Sequence, residues 1–321
     1  MPLDRQSHPL NQLRAHAFEE ASALTVQLGG FTYARPTRSH PTGSGAFGPA
    51  LAIMNYSTPL VDEWIEPDGA GGFASGTTSG IRRRRYHLLL AKTNSPTNHI
   101  ALVNGFDAKV EIGEECNWIS SHHYASNAIH PDGASRIIKF ESTPWPRWYF
   151  KLTNDLVIEQ EIFVPRRSAW TVMAWKLAGR AKERIKLKVR LLLSGRDWNS
   201  LQRENSNFSF ATYAQGQCFH FGSYPEVPEV IAQTNAFFLR DPVWYRNFFY
   251  RDEQAMGRDC IEDLASPGEF GWDLNGSRAV LALAAQGNGQ VSLGKCKTEA
   301  DFVSLRSAEL NLRRLERVNR E

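Results

Sequence analysis

The chain has 321 residues, enough to bury a substantial core as one large β domain or as two smaller domains. Its 37 Lys and Arg against 34 Asp and Glu leave a formal net charge of +3. No global field therefore recruits nucleic acid or an anionic membrane, and any basic function has to be local.

The N-terminus lacks an apolar signal core, and no run of the sequence is apolar for long enough to span a bilayer. The four cysteines, Cys116, Cys218, Cys260 and Cys296, are far apart and form no C-x-x-C pair, which reads as reduced thiols in a cytoplasmic protein with no metal and no cofactor. Residues 1–53 hold one short helical pattern, followed by a Pro, Gly, Ser and Thr-rich stretch that reads as a flexible extension, and the globular part is expected to begin near Met54.

Next comes EWIEPDGAGGFASGTTSGIRRRRYHLLLAK, Glu63 to Lys92, with glycines at 69, 71, 72, 76 and 80 ahead of four arginines. Gly69, Gly71 and Ala74 fit a phosphate-cradling G-x-G-x-x-[GA] pattern. The segment after Ala74 carries too many Gly, Ser and Thr residues to open a helix, and no acid follows at the ribose-binding distance. Arg82 to Arg85 form a candidate RNA patch. The run leads into Tyr86, His87 and Leu88, however, and an extended segment sends alternate arginines to opposite faces, which leaves only half of them for a groove.

Beyond His87, short apolar and β-branched runs alternate with turns. HIALVNGFDAKVEI predicts a hairpin at Asn104 and Gly105. RIIKF, RWYFKL, LVIEQEIFV and SAWTVMAWKL predict strands. RIKLKVRLLL predicts a strand with one wet side, because Ile185, Leu187, Val189, Leu191 and Leu193 share one face and Lys186, Lys188 and Arg190 the other. DPVWYRNFFYRDEQAMG predicts an aromatic-rich helix with Asp241 as N-cap, Pro242 at the first helical position and Gly257 at the end. The C-terminal TEADFVSLRSAELNLRRLERVNRE predicts an amphipathic helix capped by Thr298, with Phe302, Leu305, Leu312, Leu315 and Val318 at helical spacing. The sum is a mainly β chain, a large antiparallel β-sandwich with one short helix and a terminal one.

Two blocks, EWIEPDGAGGFASGTTSGIRRRRYHLLL and WYRNFFYRDEQAMGRDCIEDLASPGEF, resemble the N-terminal domain of the archaeal and bacterial type of glycogen debranching enzyme, the amylo-alpha-1,6-glucosidase family. In that family the sandwich precedes an (α/α)6 barrel that carries the catalytic carboxylates. The resemblance implies a sandwich over 54–297 and, over 298–321, a linker helix toward a barrel absent from this chain. It also implies α-glucan or glycogen as ligand, and glycines that make tight turns before Arg84, Arg85, Tyr86 and His87 lead into a strand. Leu88 and the pair Arg82 and Arg83 depart from the family pattern.

Hydrolysis of a glycosidic bond needs a proton donor and a second carboxylate at a set separation. The eligible acids are Glu63, Glu66, Asp68, Asp252, Glu253, Glu262 and Asp263; the adjacent Glu262 and Asp263 make a poor pair, because a regular element points neighbouring side chains apart. Arg84, Arg85, Tyr86, His87, Trp244, Tyr245, Glu262 and Asp263 are the candidate substrate-binding or interface residues. For the arginines, an ion-pairing role that orders the glycine loop competes with contact to a glucan hydroxyl or a partner domain. The expected function is glucan binding or support of a separately encoded barrel, with self-association through the terminal helix, a self-sufficient hydrolase and an RNA binder as the alternatives.

Overall fold

The computed structural model describes residues 63–69, 72–95, 98–287 and 296–318. They belong to the unit Ser57–Glu321; residues 1–56, and with them the expected extension over 1–53, lie outside the described residues. In chain order the strands are β1 (Glu63–Pro67), β2 (Phe73–Thr77), β3 (Leu90–Ser95), β4 (Asn98–Ile112), β5 (Glu115–Trp118), β6 (His122–His123), β7 (Ile129–His130), β8 (Ile137–Glu141) and β9 (Arg147–Lys151). They continue with β10 (Val157–Phe163), β11 (Trp170–Ala178), β12 (Ile185–Asp197), β13 (Ala211–Gln215), β14 (Cys218–Gly222), β15 (Val230–Thr234), β16 (Phe237–Phe249), β17 (Ile261–Asp273) and β18 (Ala279–Ala285). Among the described residues two α-helices accompany them, α1 (Arg251–Ala255) and α2 (Glu299–Val318).

The fold is an antiparallel β-sandwich. One sheet has eight strands in the order β13-β14-β15-β18-β11-β10-β9-β8; the other runs β16-β17-β12-β4-β3, with β5 added beside β4. The inner faces meet in one core that includes Ile158, Met173 and Leu281 from the first sheet and Val110, Leu187 and Phe270 from the second. Trp175 sits at its centre, with its ring 5.6 Å from Phe106 and 5.9 Å from Trp272. On β12 the five predicted apolar residues are buried while Lys186 is exposed, so the alternation reads as a strand with one wet side.

Two predicted elements turn out differently. Asn104 and Gly105 do not form a hairpin: β4 runs through them as a single 15-residue strand. Its register against β12 shifts there, with Leu192 opposite Gly105 and Leu193 opposite Val103, which makes Asn104 the extra residue of a bulge. Tertiary bonding overrides the turn signal, since the buried Asn104 accepts from Ser194 Oγ at 2.7 Å. The aromatic segment after Asp241 is strand β16, and helix is confined to the five residues of α1. Pro242 lies at a register shift on a sheet edge, where a missing N–H costs no ladder bond, and the following Val, Trp, Tyr and Phe residues suit a pleated surface.

The terminal helix forms as its sequence predicts. Asp301 N–H bonds to Thr298 Oγ1 at 3.1 Å, and Thr298 N–H bonds back to Asp301 Oδ2 at 3.1 Å, so the first turn caps itself. Phe302 is fully buried against Val172, Ala174, Val280, Ala282 and Ala284 on the outer face of the eight-stranded sheet, while Leu312, Leu315 and Val318 stay exposed.

Candidate functional site

The loop between β2 and β3 gathers most of the residues singled out in the sequence. Gly80 adopts φ +75, a left-handed conformation that side chains rarely take, and Gly72 lies so close to Asp68 that a Cβ would stand 2.5 Å from its Oδ2. After this turn the arginines do not form an extended segment. The chain bends at Arg84, where the His87 N–H bonds to its carbonyl at 3.2 Å, and each arginine takes its own direction.

Arg82 turns inward, with its guanidinium 4.7 Å over the Phe248 ring and donating to the Tyr250 hydroxyl at 3.2 Å. Arg83 and Arg84 share two carboxylates, Glu63 at 3.3 and 2.7 Å and Asp252 at 3.5 and 3.6 Å. Arg85 donates its N–H and its Nε–H, each at 3.0 Å, to the two oxygens of Glu253, a fully buried residue of α1. The Tyr86 carbonyl accepts from Ser75 Oγ at 2.6 Å, and its ring lies 6.1 Å from that of Trp198.

His87 is buried with a fixed tautomer. Arg83 N–H points at Nδ1 at 3.1 Å, so the ring proton is assigned to Nε2, which donates to Glu63 at 3.2 Å. Burial lowers the pKa of this imidazole and keeps it neutral. The hydrogen bond from His87, together with that from Arg84, holds Glu63 down to about 2 against the opposing effect of burial.

Glu262 forms the second centre. This fully buried carboxylate on β17 receives Arg196 through Nε and through Nη2 at 3.3 Å, Gln202 N–H at 3.1 Å, Asn104 Nδ2 at 3.4 Å and the Tyr250 hydroxyl. Arg196 also donates to the Arg85 carbonyl at 2.7 Å, which joins this centre to the arginine loop. Burial pushes the Tyr250 hydroxyl up, and it serves as a donor to Glu262. Asp263 faces elsewhere, accepting Asn247 N–H at 2.7 Å and Glu204 N–H at 3.0 Å.

Trp244 and Tyr245 are not part of either centre. Trp244 packs edge-on against Phe208 and Phe210, and the Tyr245 hydroxyl reaches Asp107 at 3.3 Å. The residues that sequence reasoning missed are Arg196, Gln202, Asn104 and Tyr250. Arg196 closes the apolar run of β12, but nothing in the sequence ties it to a carboxylate 66 positions away.

Each of the seven eligible acids is therefore engaged by donors of its own chain. Glu66 meets Arg313, and Asp68 accepts Gly72 N–H at 2.9 Å. Carboxylates engaged in this way act as acceptors that brace the loops around them. Beside Arg196 an open groove of ≈ 630 Å³ is lined by Gln202, Arg203, Tyr224 and Glu226.

A family model described as glycogen debranching enzyme N terminal matches residues 62–281, more than half of the chain. No curated protein matches. Among solved structures, a bacterial glucoamylase complexed with acarbose aligns at 10% identity and a TM-score of 0.39, over 78% of this chain and 34% of that one, so the chain spans about a third of that structure's length. The chain thus belongs to the glycogen debranching enzyme N-terminal family.

Proposed function

We propose that this domain acts in α-glucan metabolism in the cytoplasm without performing hydrolysis itself, binding glucan and supporting a partner that supplies the catalytic carboxylates. The observation that carries this reading is the commitment of Glu262, where three side chains and one backbone N–H converge on a carboxylate with no exposure. A glycosidase acid has to reach a leaving oxygen, and its partner carboxylate has to stand across a cleft from it. The partner reading is supported by α2, whose Leu312, Leu315 and Val318 face solvent while its other side is docked.

The test is incubation of the purified chain with glycogen limit dextrin and measurement of released glucose. No turnover above buffer is expected. Robust turnover that disappears in Glu262→Gln would overturn the reading.

A further inference from the structure

The outer face of the eight-stranded sheet is only partly covered by α2. Side-chain alternation places one cross-strand row on this face: Tyr213 pairs with His220, His220 with Ile231, Ile231 with Ala284, and Ala284 with Trp170. The Ala284 and Trp170 end belongs to the apolar cluster beneath Phe302. The Tyr213 end emerges uncovered on β13, the edge strand.

Tyr213 stands there as a braced aromatic plate. Its ring stacks on His220 with centroids 4.4 Å apart and planes at 11°, so one face is occupied and the other is turned toward the free sheet edge. Its hydroxyl donates to Glu229 Oε2 at 2.7 Å, and His220 Nδ1 lies 3.3 Å from the same oxygen. The residue remains 44% exposed. Stacking, hydroxyl and register together fix a side chain that would otherwise rotate in water, so little rotamer freedom is left to lose on binding.

From this we infer that Tyr213, His220 and Glu229 form a binding platform for a glucose ring of an α-glucan chain, an inference that rests on the α-glucan reading above. A pyranose presents an apolar C–H face ringed by hydroxyls. The free Tyr213 face matches the first, and the Glu229 carboxylate at its rim accepts from the second. An apolar protein partner would bury the Glu229 carboxylate and offer no donor to the oxygen that Tyr213 and His220 leave open, which disfavours it. The platform lies apart from the arginine loop and from Glu262, and it leaves both undisturbed.

The test is titration of the full chain with maltoheptaose, with glycogen retention as a second readout. Tyr213→Ala is expected to weaken binding roughly tenfold, while Tyr213→Phe keeps most of the affinity because the ring face remains. Urea unfolding of both variants should match the wild type, since Tyr213 is an exposed edge residue. Unchanged affinity in Tyr213→Ala overturns the platform and leaves the α-glucan reading standing. Tyr213-dependent binding of β-linked glucans alone overturns the α-glucan reading and keeps the platform. A wild type that retains no glucan overturns the platform, while limit-dextrin turnover continues to test the other reading by itself.

Discussion

Around Lys188 the outer face of the six-stranded sheet is wet and charged, whereas around Phe302 that of the eight-stranded sheet is apolar and roofed by α2. On the first, a chain of ion pairs runs Lys109, Glu111, Lys188, Glu269, Arg190, Asp241 across neighbouring strands in reach of solvent. On the second, Val172, Ala174, Val280, Ala282 and Ala284 meet Phe302, and the charges lie deeper. Glu161, with no exposure, accepts Arg278 at 2.8 Å, Arg306 at 2.9 and 3.0 Å and Trp145 Nε1–H at 2.9 Å. Arg313 of α2 is bound by both Glu66 and Glu309, and its guanidinium lies 5.1 Å over Trp145. The same kinds of residue make both networks, and burial decides what they contribute. A solvated pair adds about 0–1 kcal/mol, whereas stripping one partner from a buried set costs about 3–5 kcal/mol.

The largest expected effect follows from that contrast. Glu161→Ala strands two arginines and an indole N–H beneath α2, and Phe302→Ala opens a cavity at the same seam; each should lower unfolding free energy by about 3–5 kcal/mol in urea titrations. Both should also speed proteolytic release of α2. If either variant is as stable as the wild type, the helix is not anchored by this seam.

Glu63 gives a pH-dependent version of the same comparison at the arginine loop. Its carboxyl is depressed from 4.5 to about 2 in the folded chain, so its contribution is present above 4.5 and is lost as pH falls through about 2. Glu63→Gln should therefore flatten the stability curve between those values and weaken the fold most near neutral pH. An unaltered slope would show that Arg83, Arg84 and His87 gain nothing from the carboxylate.

The smaller effects sit on exposed surface. Replacing both Leu312 and Leu315 by Asp should leave thermal unfolding nearly unchanged, because both are exposed in this domain, while abolishing any association seen by sedimentation. A sharp fall in melting temperature with a monomeric wild type would assign that seam to the domain itself and remove the support it gives to a partner. Lys188→Ala, in the solvated chain of pairs, should shift stability by no more than about 0.5 kcal/mol. A loss several times larger would mean that the wet face is as tightly coupled as the roofed one.

The two faces also explain what was legible beforehand. β12 could be read because its Lys186, Lys188 and Arg190 side meets water and interrupts the apolar residues at every second position. β18 is buried on both faces, so AVLALAA carries no period of two and no strand could be assigned from it. α2 was visible through its cap and its 3.6-residue spacing, but its docked side was not. That side combines Phe302 with Arg306, Glu309 and Arg313, whose bonding partners lie far away in the sequence. The loop signature identified Arg84, Arg85, Tyr86 and His87 as a unit, whereas the residues that close on Glu262 come from β4, β12 and β16's end and share no local pattern. β16 was misread because Asp-Pro mimics a helix start, and only the sheet edge reveals why proline is tolerated there.

The bulge at Asn104 constrains how the chain's length can change. Gly105 and Val103 already stand opposite the consecutive residues Leu192 and Leu193, so removing this one residue would straighten the ladder and leave inside and outside unchanged along both halves of β4. Leu102 and Val103 would keep their facing, while the acceptor that Asn104 offers to Ser194 and its donor to Glu262 would vanish. A single-codon deletion here should thus cost little more than a substitution that removes the same hydrogen bonds. Removal of Asn104 together with a neighbour would swap inside for outside along one half of the strand, so mid-strand deletions in β4 are governed by parity as well as by size.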